Sequence, residues 1–368
     1  MTPPIPPSGA RPKRVAEFPV GRDAVEGNFL MSSEFRAFVN IGGTVQPASE
    51  VRVPVLDHGF LYGDSVYETI RPYRGGPFLL DRHLDRLQRS IDRTFLALPV
   101  TRRGLEAEVL RTVDEVRRRL VAEAPGGGPG SEAPDVGIRV IVSRGVGPIG
   151  LDISKCPTPT CWILVYELSP HSVPPEAYPE SSGGTVSVVI SKIRRNSPRA
   201  LDPAIKSGNF LNNILAFKDA RDAGAIEAFL CNAEGYLAEG TTSNLFVAKN
   251  DLVWTPHAYG ILDGITRGVL FEEAAAVGIR IGETNIPPEA LFSADEVFFT
   301  GSIKGVVPVG RVNGRTIGSG RRGPITHRLQ VLDAARMERE CAGRERSRDA
   351  DARDRLGGTA STPSVLGA

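Results

Sequence analysis

Short apolar runs recur along the chain and predict β-strands, because a strand buries one or both faces over a few residues. The first run alternates apolar and polar residues at 35–40, and the run at 136–143 is apolar almost throughout. Similar runs at 186–191, 297–299 and 306–312 extend the pattern into the second half of the chain. Further strands are expected around Val45 and Thr316 and at 65–71, 78–80, 161–168, 228–231, 236–238 and 245–247.

Apolar residues spaced three and four positions apart predict helices between these strands. One series with this spacing follows Asp81, and a second begins near Asn209. The two series consist of Leu84, Leu87, Ile91 and Phe95, then Phe210, Leu211, Ile214, Leu215 and Phe217. Further helices are expected at 105–120, 269–277 and 326–339. Strands and helices are interspersed over the whole chain, which predicts a mixed α/β (α+β) fold.

Breaks in composition divide the chain into segments. Residues 1–34 are rich in Pro, Gly and charge and are expected to form a mobile N-terminal arm. Prolines and a Ser-Ser-Gly-Gly sequence at 169–184 predict a linker between a small α/β domain at 35–168 and a large domain at 185–340. Residues 341–368 are highly charged and then rich in Gly, Ser and Thr, so we expect a disordered tail there.

Composition narrows the class of protein. The chain has 368 residues, a formal net charge of +1, 41% hydrophobic residues and 24% charged residues, which is typical of soluble globular proteins. The near-neutral charge gives no reason to expect nucleic acid or an anionic membrane as a partner. No apolar run is long enough to span a membrane, and the first residues lack the apolar core of a signal peptide. The four cysteines are scattered, which favours free thiols and a cytoplasmic location, and the five histidines are too dispersed to predict a metal site.

Lys206 lies at the end of an irregular segment that contains Pro198 and Pro203, just before the helix predicted from Asn209. A lysine in such a position is usually a solvated surface residue. Alternatively, a partly dry pocket would lower the pKa of its amine, which could then attack a carbonyl carbon to form a Schiff base. The local sequence leaves both interpretations open.

Other residues could contribute to a chemical site. Glu239 precedes the small polar turn at 240–244, where a buried carboxylate would need a partner. The sequence Gly-Ile-Thr-Arg at 264–267 begins a predicted helix, whose free backbone N–H groups suit an anion. Alternation in the strand at 65–71 is typical either of a solvated face or of the wall of a site. Arg86 in the helix after Asp81 is, by its position alone, a surface charge.

The segment 145–150 has the spacing Gly-x-Gly-x-x-Gly and follows a predicted strand, so a dinucleotide site must be considered. Pro148 interrupts the motif, and Pro157 and Pro159 follow where the phosphate-binding helix would have to begin. We therefore expect a turn-rich loop and no dinucleotide site.

A lysine, a carboxylate and an anion site together suit pyridoxal 5'-phosphate. The lysine would hold the aldehyde, the carboxylate would protonate the ring nitrogen, and the helix start would bind the phosphate. The spacing of these residues does not by itself decide the point.

Several stretches of the chain resemble class IV aminotransferases, the fold-type IV pyridoxal phosphate enzymes, and most of all branched-chain amino acid aminotransferases. The stretches are 57–68 (Asp-His-Gly-Phe-Leu-Tyr-Gly-Asp-Ser-Val-Tyr-Glu), 83–87 (His-Leu-Asp-Arg-Leu), 143–147, 150–152, 194–213 around Lys206, 234–240, 264–267 and 295–297. The resemblance covers roughly residues 36–335, and the motifs follow one another in the family's order. It implies a two-domain fold similar to D-amino acid aminotransferase, with the cofactor between the domains.

The resemblance also implies roles for individual residues. Lys206 would form the Schiff base with the cofactor and carry the proton between the substrate Cα and the cofactor. Glu239 would pair with the pyridine nitrogen. The residues implied for the phosphate are Arg86, Ile265, Thr266 and Ser302, and those implied for the substrate pocket are Tyr62, Tyr67, Arg71, Arg139 and Ile303.

The implied reaction is transamination of branched-chain or other apolar L-amino acids with 2-oxoglutarate, by a homodimer or higher homo-oligomer. The chain departs from branched-chain enzymes in having Gly137 and Phe210 where tyrosines are common, in the Gly-Thr-Thr-Ser-Asn loop after Glu239, and in Lys304. The alternatives are therefore a D-amino acid or (R)-amine transaminase and an aminodeoxychorismate lyase. A non-catalytic cofactor-binding protein is the more distant alternative.

Overall fold

The computed structural model describes residues 36–74, 76–124, 134–168 and 183–357, with side chains described as far as residue 342. The N-terminal arm expected at 1–34, the linker positions 169–182 and the last residues of the expected tail lie outside the described residues. The division into a small and a large domain stays a prediction.

A five-stranded antiparallel sheet occupies the first half of the described chain, with the strand order β2-β1-β7-β6-β3. Its strands are Ala37–Ile41 (β1), Thr44–Pro47 (β2), Ser65–Ile70 (β3), Val136–Ser143 (β6) and Thr160–Glu167 (β7), and a separate hairpin joins Pro72–Tyr73 (β4) to Gly76–Pro77 (β5). The helices of this half are His58–Tyr62 (α1), Leu80–Arg93 (α2) and Arg102–Glu123 (α3). Alternate residues of β3 and β6 form a closed core with α2 and α3, to which the helices contribute Leu84, Leu87, Val109 and Val113.

A nine-stranded mixed sheet occupies the second half, with the order β10-β9-β8-β15-β14-β11-β12-β13 and β16 paired with β15. Its strands are Val186–Arg194 (β8), Glu227–Cys231 (β9), Leu237–Gly240 (β10), Asn244–Lys249 (β11), Leu252–Thr255 (β12), Arg280–Glu283 (β13), Glu296–Gly301 (β14), Gly305–Val312 (β15) and Arg315–Thr316 (β16). The helices Leu211–Asp222 (α4), Ile265–Ala276 (α5) and Pro324–Gly357 (α6) accompany it. Phe229, Phe246, Phe298 and Phe299 are fully buried in this half.

The segment around Lys206 joins the second half to the first sheet. A β-bridge connects Ser207 to Val66 on β3, the edge strand of the five-stranded sheet. The Gly208 N–H donates to the Ser65 carbonyl at 2.7 Å, and a Cβ on Gly208 would lie 2.0 Å from the Ser65 hydroxyl oxygen. With the Ser65 side chain in its present position, only a glycine fits at residue 208.

Most of the predicted elements are present, with ends shifted by a few residues. The strand predicted at 78–80 is wrong: Phe78 and Leu79 form a turn, and Leu80 already begins α2. Leu79 has φ +48°, a left-handed conformation that ends the extended chain. The sequence pattern also missed β12, β13 and α1. The loop at 145–150 is not followed by a phosphate-binding helix, as expected, but by a three-residue 3-10 turn at Ile153–Lys155.

The last helix continues well beyond its predicted end at 339. It runs to Gly357, so residues 341–357, which the composition assigned to a disordered tail, are helical. This stretch contains five Arg and three Ala, residue types that favour helix even where no apolar face marks one.

The helix predicted near Asn209 begins at Leu211, but it does not bury its apolar series. Its buried residues are Asn213, Ala216 and Ala220, while Leu211, Ile214 and Leu215 are exposed. The apolar face of α4 is therefore open in the single chain.

Candidate functional site

A cavity of about 340 Å³ lies between the edge of the five-stranded sheet and the nine-stranded sheet. Its walls come from β3, β6, the segment 195–210, the turn 239–244, the start of α5 and the turn 300–304. Nine of the eleven predicted site residues line it: Tyr67, Arg86, Arg139, Lys206, Glu239, Ile265, Thr266, Ser302 and Ile303. Residues far apart in the sequence are thus brought to one cavity.

Two predicted residues, Tyr62 and Arg71, do not line this cavity. Tyr62 ends α1, where its hydroxyl accepts a hydrogen bond from the Gly150 N–H at 3.0 Å. Arg71 follows β3, and its positive charge influences the buried carboxyl of Asp333. Burial raises the pKa of Asp333 to about 6, and the charge of Arg71 opposes that rise.

Backbone hydrogen bonds hold Lys206 at the cavity. Its carbonyl accepts from the Tyr67 N–H at 2.9 Å, and its own N–H donates to the Ser90 hydroxyl at 3.1 Å. Burial lowers the pKa of the Lys206 amine to about 8, and the positive charge of Arg86 lowers it as well. Lys206 is therefore a partly desolvated amine, and the interpretation as an ordinary solvated surface lysine does not hold.

The ring of Tyr67 contacts two cations. The Lys206 Nζ lies 4.7 Å from the ring centroid, and the Arg139 Cζ lies 3.9 Å from it. Both distances are within the range of cation–π attraction. Burial raises the pKa of Tyr67 to about 12 although Arg139 opposes this, so the phenol is neutral at neutral pH. The outward face of β3 is therefore a wall of the site and not a solvated surface.

Arg86 is held by a buried acid that the sequence did not assign to the site. Glu68 accepts from Arg86 Nε and Nη2, both at 2.7 Å, and from His83 Nδ1 at 2.7 Å. Burial alone would raise the pKa of Glu68, but the charge and hydrogen bonds of Arg86 outweigh burial and hold the pKa at about 2. Glu68 stays ionised, and Arg86 has a fixed orientation. The sequence did contain a signal for this role, because Glu68 is the single acid on a strand face that otherwise carries the apolar residues Val66 and Ile70.

One end of the cavity can bind an anion. Arg86 also donates from Nη1 to the Asp263 carbonyl at 2.6 Å, so three of its five N–H groups are bound to described residues and two are left. The first turn of α5, at Ile265 and Thr266, has no side-chain cap, and its N–H groups carry the positive end of the helix dipole. The Thr300 hydroxyl is buried on the cavity wall and has no hydrogen-bond partner among the described residues.

Glu239 sits at another part of the cavity wall and is almost fully buried. Its Oε1 accepts from Arg195 Nε at 2.6 Å, and its Oε2 accepts from the Leu262 N–H at 2.9 Å. These partners compensate the buried negative charge. Arg195 is a site residue that the sequence analysis missed, because an arginine pair at 194–195 is more often exposed.

A third buried acid, Glu227, organises the polar turn after Glu239. Glu227 accepts from the Thr241 N–H at 2.9 Å, from the Thr241 hydroxyl, and from the Ser243 hydroxyl at 3.1 Å. Lys304 lines the cavity, and its Nζ lies 3.7 Å from a Glu227 oxygen. The charge of Lys304 is thus directed partly at Glu227. The single acid at the start of β9 gave no sequence signal for this role.

Among the described residues, His, Cys, Asp and Glu side chains form no group of three or more that could hold a metal ion. Nor does any helix in the described ranges have both the length and the apolar character needed to cross a membrane.

A family model described as amino-transferase class IV matches residues 65–312. A protein of Methanocaldococcus jannaschii that carries the provisional name of branched-chain-amino-acid aminotransferase is 36% identical over 293 residues, which cover 79% of this chain and 93% of that protein. A D-alanine aminotransferase of Bacillus licheniformis is 33% identical, over 80% of this chain and 94% of that protein. An aminodeoxychorismate lyase of Bacillus subtilis is 30% identical, over 80% and 92%.

Solved structures agree in fold. A branched-chain amino acid aminotransferase designated T.th., complexed with N-(5'-phosphopyridoxyl)-L-glutamate, has a TM-score of 0.70 and 28% sequence identity, over 82% of this chain and 94% of that chain. The family model matches more than half of this chain, and the relatives cover about four fifths of it. This chain therefore belongs to the class IV aminotransferases and is a transaminase with the mixed α/β fold of the fold-type IV enzymes.

Proposed function

We propose that this transaminase uses pyridoxal 5'-phosphate to transfer the amino group of a branched-chain or other apolar L-amino acid to 2-oxoglutarate. The observation that carries the proposal is the Lys206 amine, whose pKa burial lowers to about 8, in one cavity with Arg86 and Glu239. These three residues supply the amine, the cation and the carboxylate that such a cofactor requires.

The residues of the cavity fit this cofactor. The anion end offers two N–H groups of Arg86 and the first turn of α5, both suited to a phosphate, and the cavity wall adds the Thr300 hydroxyl, which has no partner among the described residues. Ser302, two residues after Thr300, also lines the cavity and would add a further hydroxyl. The solved T.th. neighbour is complexed with a phosphopyridoxyl compound, which supports the same assignment here.

When bound, pyridoxal phosphate supplies an electron sink that stabilises negative charge at the substrate Cα. Lys206 would attach the cofactor and, once free, take up and return the proton at the Cα, for which a pKa of about 8 is well placed. Glu239, bound by Arg195 and the Leu262 N–H, would hold the proton on the pyridine nitrogen. Arg86 would bind the phosphate, and Glu68 would keep Arg86 in position.

The cavity residues around Tyr67 favour a donor that has an apolar side chain and a carboxylate. Phe210 packs edge-on against Tyr67, with ring centroids 5.7 Å apart, and Leu201 and Ile205 add apolar surface. Arg139 over the Tyr67 ring is the cation placed to attract a substrate carboxylate. The relatives named for branched-chain amino acids support the same donor class.

A D-amino acid transaminase is the second candidate. The Bacillus licheniformis D-alanine enzyme is nearly as similar as the first relative, and the Thr241–Ser243 turn bound by Glu227 lies on the cavity wall, where it would contact a substrate. The lyase relative makes pyruvate release a third outcome to measure.

We also propose that the working form is a homodimer. The exposed apolar face of α4 needs a partner. Apolar residues of two further segments are exposed as well, namely Val55 and Phe60 in the first and Ile149 and Leu151 in the second. Tyr62 lies outside the cavity of its own chain, so its predicted role in a substrate pocket would be fulfilled in the cavity of the partner subunit.

The proposed reaction predicts a donor order. With 2-oxoglutarate as acceptor, glutamate formation should be at least about tenfold faster from L-leucine than from D-alanine or an (R)-arylamine, because a pocket discriminates through differential contacts in the transition state. Lys206→Ala should remove turnover, while Lys192→Ala, at an exposed site, should not. A preference for D-alanine would establish the second candidate, a preference for the amine would establish an (R)-amine transaminase, and pyruvate release from aminodeoxychorismate would establish the lyase.

The pKa of Lys206 predicts a pH dependence. The neutral amine attacks an aldehyde and the protonated amine does not, so capture of added pyridoxal phosphate by the apo protein should slow as the pH falls through about 8. Initial rates followed by absorbance over a pH series on both sides of 8 measure this midpoint. A midpoint near 10.5, the ordinary value for lysine, would contradict the desolvated site.

Arg86 should be required for cofactor affinity. Arg86→Met should weaken pyridoxal phosphate binding about tenfold to a hundredfold, since hydrogen bonds to charged groups contribute roughly 1.5–3 kcal/mol. Arg89→Met, on the same helix but half exposed, is the matched control and should bind normally. Because Arg86→Met alone leaves Glu68 uncompensated, Glu68→Gln/Arg86→Met tests the same loss without a buried lone charge. Equal affinity in the Arg86 and Arg89 variants would exclude the proposed phosphate site.

The dimer should depend on the apolar face of α4. Ile214→Glu should shift the protein toward a monomer by at least about tenfold in its dissociation constant, measured by analytical ultracentrifugation, because it places a charge on a surface that must be desolvated. Val331→Glu changes an equally exposed apolar residue on α6 and serves as control. A wild-type monomer, or an unchanged Ile214→Glu dimer, would exclude this interface.

A further inference from the structure

The phenol ring of Tyr166 lies directly over the backbone of Gly137. The two residues are opposite each other on the antiparallel strands β7 and β6, so their side-chain positions share one face of the sheet. A Cβ added to Gly137 would lie 2.5 Å from Tyr166 Cζ and 2.7 Å from its hydroxyl oxygen. No side chain at 137 is compatible with the present position of the ring.

The other strand beside Tyr166 also has a small residue at this point. Ala37 on β1 is the second cross-strand partner of Tyr166. Tyr166 is therefore flanked by an alanine on one side and a glycine on the other, so neither neighbouring strand places a large side chain opposite it.

The face that Tyr166 covers is the wall of the cavity. Tyr67 and Thr69 on β3, Arg139 on β6 and Tyr166 on β7 all line it. Gly137 is two residues from Arg139 on the same strand, so a side chain at 137 would project toward the same cavity. A side chain at position 137 would occupy the space beside Arg139, and the Tyr166 ring fills that space instead. Burial raises the pKa of its phenol, which is therefore neutral at neutral pH.

We propose that Tyr166 is a specificity-determining residue that limits the size of the donor side chain, and that Gly137 makes the room it needs. This inference rests on the transamination proposed above. The ring occupies cavity volume next to the cation that would attract the substrate carboxylate, so the space left for the rest of the substrate depends on where the ring lies.

The contact between the Tyr166 ring and Gly137 can be tested by measuring stability alone. Gly137→Ala should lower the urea midpoint of unfolding, because its methyl group overlaps the Tyr166 ring. In the Tyr166→Ala background the same Gly137→Ala change should raise the midpoint, because alanine is ordinarily better than glycine inside a strand. This reversal of sign requires neither cofactor nor substrate. A change of the same sign in both backgrounds would overturn the proposed contact.

The specificity is tested by a ratio of donors. Tyr166→Ala should raise kcat/KM for L-phenylalanine relative to L-valine at least about tenfold, mostly through KM, because the removed ring opens space for a larger side chain. Tyr166→Phe keeps the ring and should leave the ratio within about threefold. Tyr236→Ala, a half-exposed tyrosine away from the cavity, should leave it unchanged. An unchanged ratio in Tyr166→Ala would overturn the assignment.

Failure of this inference can be told apart from failure of the proposed function. If the wild type transfers amino groups and Tyr166→Ala keeps the wild-type donor ratio, only the role of Tyr166 is lost. If the wild type turns over none of the donors, the proposed function fails, and the stability series still decides whether Tyr166 and Gly137 are coupled. Dissociation constants of 4-methylpentanoate and 3-phenylpropanoate, which carry no amine to transfer, give the size preference without turnover. Tighter binding of 3-phenylpropanoate in Tyr166→Ala is expected.

Discussion

The buried ion pair between Glu68 and Arg86 is the interaction on which the site depends. Both side chains are almost completely removed from solvent, and two hydrogen bonds of 2.7 Å join them. Either charge left alone in that environment by removal of its partner would cost about 3–5 kcal/mol. Together they fix α2 against β3 and leave part of the guanidinium directed into the cavity. The positive charge that lowers the pKa of Lys206 and the charge available to an anion are the same charge, held by one acid.

Strand β3 connects this pair to the amine. Because side chains alternate along a strand, Glu68 points to the core side and Tyr67 to the cavity side. The Tyr67 N–H holds the Lys206 carbonyl, and the Tyr67 ring faces the Lys206 amine. Gly208 lets the Lys206 segment approach β3 closely enough for this pairing. One strand thus positions the cation, the aromatic wall and the lysine, although these belong to three separate segments of the chain.

The remaining polar groups of the cavity follow the same rule, that a buried charge is compensated by charges and hydrogen bonds. Glu239 is bound by Arg195 and a backbone N–H, and Glu227 is bound by the hydroxyls of the turn it holds and lies near Lys304. Such networks make a site rigid because each member is oriented by the others. The Thr300 hydroxyl is the exception among the described cavity residues, because it is buried without a hydrogen-bond partner there. The part of the wall formed by Tyr166 over Gly137, beside Arg139, is different, because the position of a ring and not a compensated charge defines it.

Local periodicity in the sequence was sufficient to predict much of the secondary structure of this protein. Most strands and helices, the irregular approach to Lys206, and the carboxylate and helix start near the cavity were visible in the sequence, because repeats of two and 3.6 residues are properties of short segments. Resemblance to a family then selected Arg86, which by its position alone was a surface charge. Only the tertiary structure decided the role of Glu68, the exposure of the apolar face of α4, and the position of Tyr166 over Gly137. Each of these depends on residues from different segments meeting in space, and the pattern within one segment does not contain the identity of its neighbour.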